Sequence, residues 1–304
     1  MTLSKRAVTD LLEAHALRPS RALGQNFVVD ANTVRRIARL AEVGPGDDVV
    51  EIGAGLGSLT MALAETGASV TAVEVDRHLV PLLRANVEAA GVRVVEADAL
   101  TLSWSALLET GADPGDAVSA PSWSLVANLP YNVAVPVLVR VLDEAPAVTR
   151  MLVMVQHEVG ERLVAQPHTR IYGAVSVKVA YHAHARRVGR VPPSVFVPRP
   201  RVESALVRID RRPVVAVDPV LVAPDRLFAL VRAGFAQRRK MLRRSLAGVV
   251  DAQAFVAAGV DPAARAEDLD VVAWGRLAAM AGQGGAPPDG GTNHAAGTGP
   301  EAPS

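Results

Sequence analysis

The chain has 304 residues, half of them hydrophobic and only 21% charged, so it can bury a substantial core and is not a disordered polymer. It contains no cysteine, which excludes disulfides, thiolate metal sites and a cysteine nucleophile. No apolar run approaches the roughly 20 residues of a membrane span, and the N-terminus lacks an export signal. We therefore expect a cytoplasmic protein that does not bind a membrane.

The formal net charge is only +1, but the charge is unevenly distributed along the chain. From Arg186 to Arg244 there are fifteen Arg and Lys residues against four acids, a local excess of +11. The high arginine content of the whole chain explains the choice of arginine over lysine, but it does not explain this segregation. The segregation predicts a surface that faces a polyanion such as nucleic acid.

Strands and helices alternate in the first half of the chain. Two amphipathic helices, over Leu3–Leu17 and Asn32–Ala41, flank a loop that precedes the first strand. The predicted strands are Asp48–Ile52, Ser69–Val75, Arg93–Glu96, Trp123–Ala127 and Arg150–Val155, and the helices between them are Leu59–Glu65, Leu79–Ala89 and Ala134–Leu142. These repeats predict an α/β fold with a doubly wound, Rossmann-like parallel sheet, and Gly111–Ser122 is predicted to be a surface loop.

The pattern changes beyond Ile171. Two strands, Ala183–Val191 and Ser204–Asp210, are predicted on either side of a proline-rich connector. Only helices follow, and they are predicted over Arg226–Phe235, Arg238–Val249, Ala252–Ala258 and Val271–Met280. We predict a catalytic domain over 1–212 that includes a helical segment over 1–41, a small all-helical domain over 213–281, and a disordered Gly/Ala/Pro-rich tail over 282–304.

A glycine-rich turn, with the spacing GxGxG over residues 53–57, follows the first strand of the sheet. Glycines at this point let the backbone turn tightly and approach a ligand at a helix N-terminus. Glu51 precedes the turn. Glu74 lies at the end of the second strand, where it can accept from both ribose hydroxyls, and Asp98 follows the third strand, where it can accept from an exocyclic amine. Ser58 stands where a dinucleotide fingerprint needs its third glycine. The set fits S-adenosylmethionine better than a dinucleotide.

The fourth strand is followed by Asn128-Leu129-Pro130-Tyr131. The exocyclic amine of adenine is a poor nucleophile because its lone pair is delocalised into the ring. The amide of Asn128, with the backbone carbonyl of Leu129 or Pro130, can accept the two N–H bonds of that amine and aim its lone pair. Tyr131 can stack on an extruded base. This arrangement predicts methylation of an adenine amine.

Several long segments resemble, in order, the small-subunit (16S) ribosomal RNA adenine dimethyltransferase family. They include LGQNFVVD (23–30), VVEIGAGLGSLT (49–60), NLPYNVAVPVL (128–138), FVPRPRVESALVRI (196–209) and FAQRRKMLRRSL (235–246), and the match covers roughly residues 21–280. The resemblance implies methyl transfer from S-adenosylmethionine to two adjacent adenosines near the 3′ end of 16S rRNA in the 30S particle, giving dimethyladenosines. A role in small-subunit maturation is also implied.

The resemblance assigns site residues by position. The implied cofactor contacts are Asn26, Val28, Gly53, Gly55, Glu74, Asp98 and Asn128. The implied catalytic and base-binding residues are Asn128, Leu129, Pro130, Tyr131 and Phe196, of which Phe196 is expected to close over the base. The seven histidines form no metal-ligand pair, so we expect no metal, and we expect a monomer.

The predicted helix over Arg238–Val249 has one cationic and one apolar face. At about 100° per residue, Leu242 and Leu246 fall on one side and four cations fall on the other. These cations are Arg239, Lys240, Arg243 and Arg244. We predict that they contact rRNA phosphates.

Two other functions remain open from the sequence. The first is methylation of large-subunit rRNA with resistance to macrolides, because enzymes of that kind share the NxPY and FxPxP motifs. The second is a ribosome-assembly binding factor whose methyl transfer is incidental. The basic, helical C-terminal segment favours the small-subunit reading over the large-subunit one.

Overall fold

The computed structural model describes residues 3–20, 22–109 and 122–281. The predicted tail over 282–304, and all of the predicted surface loop except Ser122, lie outside the described residues. The strands are β1 (Phe27–Val28), β2 (Asp48–Ile52), β3 (Ser69–Glu74), β4 (Arg93–Glu96), β5 (Trp123–Asn128), β6 (Val148–Gln156), β7 (Ala183–Val191), β8 (Phe196–Val197) and β9 (Ser204–Arg211). The α-helices are α1 (Lys5–Ala14), α2 (Ala31–Ala41), α3 (Ser58–Ala64), α4 (Val80–Val87), α5 (Trp104–Leu108), α6 (Ala134–Glu144), α7 (His157–Val164), α8 (Ala174–His182), α9 (Pro224–Ala236), α10 (Leu242–Ser245), α11 (Ala252–Ala258) and α12 (Val271–Ala281).

Seven strands form one sheet in the order β4-β3-β2-β5-β6-β9-β7. The chain runs outward from β2 through β3 to β4, then returns to β5 on the other side of β2. All neighbours are parallel except that β9 is antiparallel to β6 and β7. The doubly wound prediction is confirmed, and the direction of winding reverses between β2 and β5, where such sheets bind ligands.

Both faces of the sheet are covered, because successive residues of a strand point to opposite sides. Val50 and Leu125 belong to one apolar cluster with residues of α5 and α6. Val49 and Val126, their neighbours in sequence, belong to a second cluster with residues of α2, α3 and α4. Residues buried on both faces explain why the central strands read as continuous apolar runs.

A third apolar cluster unites the C-terminal helices around Trp274, which is fully buried. It also contains Tyr172, Val177 and Tyr181, so α8 and the turn before it pack with the helices that follow the sheet. Within the described ranges, no helix is both long and apolar enough to cross a bilayer.

The predicted bounds of β2, β4, β7 and α11 match the structure. The predicted helix over Arg238–Val249 is wrong, because only Leu242–Ser245 is α-helical. Before it the chain turns, and Met241 forms an isolated bridge with Arg265, while the Leu242 N–H donates to the carbonyl of Ala264. These contacts with the segment between α11 and α12 replace the first turns of the predicted helix.

The four predicted RNA-contacting cations therefore do not share one helical face. Arg239 and Lys240 lie in the turn, whereas Arg243 and Arg244 belong to α10. All four are exposed, while Leu242 and Leu246 are buried, as the amphipathic pattern predicts.

Candidate active site

A cavity opens at the carboxyl ends of β2, β3, β4 and β5, at the point where the sheet winding reverses. Its lining includes every predicted cofactor residue, namely Asn26, Val28, Gly53, Gly55, Glu74, Asp98 and Asn128. It also includes three of the predicted catalytic residues, Leu129, Pro130 and Tyr131. The structure thus brings together residues that are up to about a hundred positions apart in the chain.

The glycine-rich turn takes backbone conformations that favour glycine. Gly53 and Gly55 have φ values of +73° and +60°. A Cβ at Gly55 would lie only 3.0 Å from the ring of Phe27, so a side chain there would meet both backbone strain and an aromatic neighbour. The turn therefore presents its backbone directly to the cavity.

Glu74 ends β3 and is only 5% exposed. Its Oε2 accepts from the N–H of Gly55 at 2.7 Å, and its Oε1 accepts from the N–H groups of Val75 and Asp76, each at 3.0 Å. Burial raises the pKa of the Glu74 carboxyl, and these three backbone donors oppose that shift. The carboxyl group is thus fixed against the glycine turn. Asp98 lies beyond the end of β4, is exposed, and accepts from the Leu100 N–H at 2.8 Å.

Glu51 is a second buried carboxyl group in the cavity lining, with 1% exposure. The hydroxyl of Thr60 donates to its Oε2 at 2.5 Å. Burial raises the pKa of Glu51 to about 8, and the nearby Glu74 adds to that rise. The sequence indicated only an acid before the glycines, because no local pattern shows that its side chain is enclosed.

Asn128, the last residue of β5, has a defined amide orientation. Its Nδ2 donates to the backbone carbonyl of Asn26 at 2.9 Å. Because a carbonyl can only accept, this contact fixes the NH₂ end of the amide. The Oδ1 is left as an acceptor with no donor among the residues described.

The two backbone carbonyls that follow Asn128 differ in availability. The Pro130 carbonyl accepts from the Val133 N–H at 3.1 Å and so closes a turn. The Leu129 N–H donates to the Met154 carbonyl at 3.1 Å, while the Leu129 carbonyl has no donor in the described ranges. Of the two carbonyls left open by the sequence, only that of Leu129 therefore has no donor among the described residues.

Tyr131 is half-buried, and its ring lines the cavity. Its hydroxyl and the hydroxyl of Ser204, at the start of β9, form a hydrogen bond of 2.8 Å. Burial raises the pKa of the Tyr131 phenol, which stays neutral. Ser204 is fully buried, and sequence reasoning missed it because one serine before an apolar strand gives no distinct signal.

Phe196, the remaining predicted catalytic residue, does not line the cavity. It is 2% exposed, pairs with Val28 in the two-stranded sheet of β1 and β8, and packs among Val34 and Leu206. Its contacts are those of a core residue, and through Val28, which lines the cavity, it supports the cavity wall. Stacking of Phe196 on a base stays a prediction.

The loop before β1 is tied to the site by side-chain amides. Gln25 donates from Nε2 to the Asp76 carboxylate at 2.8 Å, and its Oε1 accepts from the Ser20 N–H at 2.7 Å. Asn132 donates from Nδ2 to the Ala22 carbonyl at 2.9 Å. These bonds hold the loop that carries Asn26 against the ends of β3 and β5.

Solved structures share this architecture. The 23S rRNA methyltransferase ErmE is 25% identical, has a TM-score of 0.63, and covers 84% of this chain and 98% of its own. A dimethyladenosine transferase from Plasmodium falciparum has a TM-score of 0.64 at 20% identity, covering 82% of this chain and 94% of its own. The fold is that of the Rossmann-like methyltransferases.

Sequence comparisons show the family to which the chain belongs. A family model described as ribosomal RNA adenine dimethylase matches residues 17–282, and the chain belongs to this family. It is similar to the ribosomal RNA small subunit methyltransferase A of Kineococcus radiotolerans, with 50% identity over 287 residues and 91% of each chain covered. The protein of the same name from Cutibacterium acnes is 46% identical over 302 residues, with 95% of this chain and 97% of its own covered.

Proposed function

We propose that this enzyme transfers methyl groups from S-adenosylmethionine to the exocyclic amines of two adjacent adenosines near the 3′ end of 16S rRNA. The products are dimethyladenosines, and the substrate is the 30S subunit or its precursor in the cytoplasm. The identity of 46–50% to small-subunit methyltransferases, over nearly the whole of each chain, supports this substrate. We further propose that the enzyme acts as a monomer.

The pair of acceptors at the end of β5 is the observation that carries the proposal. A primary amine on adenine has two N–H bonds, and the Asn128 Oδ1 and the Leu129 carbonyl are two acceptors without donors in the described residues. Accepting both bonds draws the nitrogen lone pair out of conjugation with the ring and directs it at a methyl donor. Preorganisation of this kind suits a reaction that needs no strong base to begin.

The cavity residues fit S-adenosylmethionine. Glu74 can accept from both ribose hydroxyls, Asp98 can accept from the adenine amine of the cofactor, and the glycine turn leaves room for close backbone contact. When bound, S-adenosylmethionine supplies a methyl group already activated by its sulfonium. Holding the amine in line with that methyl group is then the main task of the protein. The described part of the chain contains no cluster of three potential metal-binding side chains.

Tyr131 supplies the aromatic face for the extruded adenine. The hydrogen bond to the buried Ser204 fixes the position of the Tyr131 hydroxyl and so limits the swing of the side chain away from the cavity. A ring fixed before the base arrives loses little conformational freedom on binding. We propose that Ser204 is a positioning residue and that Phe196 supports this wall.

The exposed cations of the C-terminal region position the RNA without reading its sequence. We propose that Arg239, Lys240, Arg243 and Arg244 contact phosphates, two from a turn and two from α10. In this arrangement residues 1–212 form the catalytic domain and residues 213–281 form the RNA-contacting domain.

The experiment is to incubate the enzyme with labelled S-adenosylmethionine and undermethylated 30S particles, then map the product by mass spectrometry. We expect label on two adjacent adenosines near the 3′ end of 16S rRNA. ErmE shares the fold at 25% identity, so 50S particles and 23S rRNA serve as the parallel substrates. Label on 23S rRNA, with macrolide resistance in cells, would contradict the proposal. Equal rescue of a deletion strain by active and inactive enzyme would instead show that binding alone is the function.

A further inference from the structure

Two elements of the sheet half, α2 and β7, carry a second basic surface. The α2–β7 arginine surface is defined as Arg35, Arg36, Arg39, Arg186 and Arg190, all of which are exposed. At about 100° per residue, the three arginines of α2 fall within an arc of about 100°, opposite its buried Val34 and Ile37. The charge therefore lies on one side of the helix.

Two contacts bring α2 and β7 together. From the middle of α2, the Arg36 Nη1 donates to the Arg190 carbonyl at 3.1 Å. A Cβ at Gly189 would lie 2.4 Å from the Arg36 Nη2, so glycine makes room for the guanidinium against the edge strand. Just beyond the C-terminal end of α2, Glu42 pairs with Arg208, whose register partner on β7 is Arg186.

No ion pair among the described residues neutralises the charge of this surface, although Arg186 helps to lower the pKa of the nearby Glu42. In the described part of the chain, none of its five arginines has a carboxylate oxygen within 4.0 Å. The acids beside it are already paired, Glu42 and Asp210 with Arg208, and Glu161 with Arg187. Five unpaired guanidinium groups repel one another, and an external polyanion would relieve that repulsion.

The surface is linked to the active site through Ser204. Val191, which follows Arg190, pairs with Ser204, and Ser204 is hydrogen-bonded to Tyr131. Residues of α2 begin shortly after Val28, which lines the cavity. An RNA strand with one base in the cavity would therefore have flanking backbone beside Arg36 and Arg190.

We propose that the α2–β7 arginine surface binds the phosphate backbone of the rRNA next to the target adenosines. It is a second docking surface, separate from the C-terminal cations, and it rests on the proposed function. Charged edge strands also prevent strand pairing between copies, but that role accounts only for the arginines of β7 and not for those of α2. Phosphate binding accounts for both.

The test compares two double variants of the full chain in binding to undermethylated 30S particles across a salt titration. Arg39→Gln with Arg190→Gln removes two charges from the surface and leaves the Arg36 hydrogen bond to the Arg190 backbone in place. Arg84→Gln with Arg93→Gln removes the same charge from α4 and β4, at the opposite edge of the sheet. Each lost phosphate contact should lower the slope of log affinity against log salt by about 0.7–0.9.

We expect a slope smaller by about 1.4–1.8 and a raised KM for the surface variant, with kcat at saturating particles unchanged. The control variant should match the wild-type enzyme in salt slope, KM and kcat. A wild-type salt slope and affinity in the surface variant would overturn the proposal. Self-association of that variant with an unaltered salt slope would also overturn it, because the arginines would then serve only to prevent strand pairing between copies. Failure of the wild-type enzyme to methylate 30S particles would instead refute the proposed function.

Discussion

The sheet region and the C-terminal region hold their functional residues in opposite ways. At the strand ends, Glu74 and Asn128 each have hydrogen-bond partners that leave one orientation for the side chain. In the C-terminal region, buried Leu242 and Leu246 anchor a segment whose cations are exposed. A reacting amine needs its acceptors in fixed positions, whereas phosphate attraction acts over several ångströms and tolerates mobile side chains. A small displacement of a functional side chain should therefore reduce activity more in the sheet region than in the C-terminal region.

The largest expected effect on the sheet region is at Phe196. Removing a fully buried aromatic side chain leaves a cavity, so Phe196→Ala should lower the free energy of unfolding by about 3–5 kcal/mol. Urea denaturation measures this loss. Val202→Ala, in the same connector but exposed, is the control and should change stability by less than about 0.5 kcal/mol. A stable Phe196→Ala protein with impaired turnover would show that Phe196 acts on the base and not in the core.

The second effect concerns Glu51 and pH. Its carboxyl has a pKa of about 8 in the folded chain against 4.5 as the ordinary value, so below pH 4.5 it is protonated in both states. Between pH 4.5 and 8 only the unfolded chain releases the proton, and folding stability should fall as pH rises, by an amount on the order of 5 kcal/mol. Glu51→Gln cannot titrate and should lack this part of the decline. Parallel declines in the two proteins between pH 5 and pH 8 would argue against a protonated Glu51.

The third effect is on chemistry alone. Asn128→Ala removes one of the two acceptors for the target amine, and the loss of one preorganised polar group costs about 10²–10³ in turnover. Methylation of 30S particles under single-turnover conditions measures it. Asn32→Ala, an exposed amide on α2, is the control with unchanged turnover. Near wild-type turnover in a folded Asn128→Ala enzyme would place the acceptor elsewhere.

The fourth effect is on cofactor affinity. Glu74→Gln keeps the size of the side chain but loses its charge, which should weaken S-adenosylmethionine binding by about 1.5–3 kcal/mol, or roughly 10- to 150-fold. Glu96, which is paired in register with Glu74 on β4, is exposed, so Glu96→Gln is a matched control. Isothermal titration calorimetry compares the two variants. Equal affinities would remove Glu74 from the cofactor site.

The same contrast explains what could be predicted from the sequence. The bounds of β2 and β4 were predictable because buried parallel strands are short apolar runs between turn residues. The helix α8 was missed because apolar and aromatic neighbours cover several of its sides, so no amphipathic stripe marks it. The helix over Arg238–Val249 was overpredicted because Leu242 and Leu246 satisfy helical spacing in a single short turn. The bridge from Met241 to Arg265, which cuts it short, is a long-range contact.

The residues of the active site likewise divide into those that could be predicted from the sequence and those that could not. Asn128, Glu74 and the glycine turn were predictable because each lies at or directly after the end of a strand, and the carboxyl ends of parallel strands meet at one edge of the sheet. Ser204 and the enclosure of Glu51 were not predictable, because both depend on which distant side chains pack over them. The choice between the Leu129 and Pro130 carbonyls likewise required the turn that occupies Pro130.

The smallest expected effect on fold and cofactor is in the C-terminal region. Arg239, Lys240, Arg243 and Arg244 are exposed, so changing all four to Gln should leave S-adenosylmethionine affinity unaltered and shift stability by only about 0.5 kcal/mol. Binding to 30S particles should weaken, and its salt slope should fall by about 0.7–0.9 for each cation that contacts a phosphate. Because Arg239 and Lys240 lie in a turn while Arg243 and Arg244 lie in α10, the two pairs can be tested separately. A fall in the salt slope for only one of the two pair variants would identify which segment faces the RNA. Wild-type ribosome affinity in the quadruple variant throughout the salt titration would show that these four cations do not contact RNA and that docking depends on the sheet region, where the α2–β7 arginine surface lies.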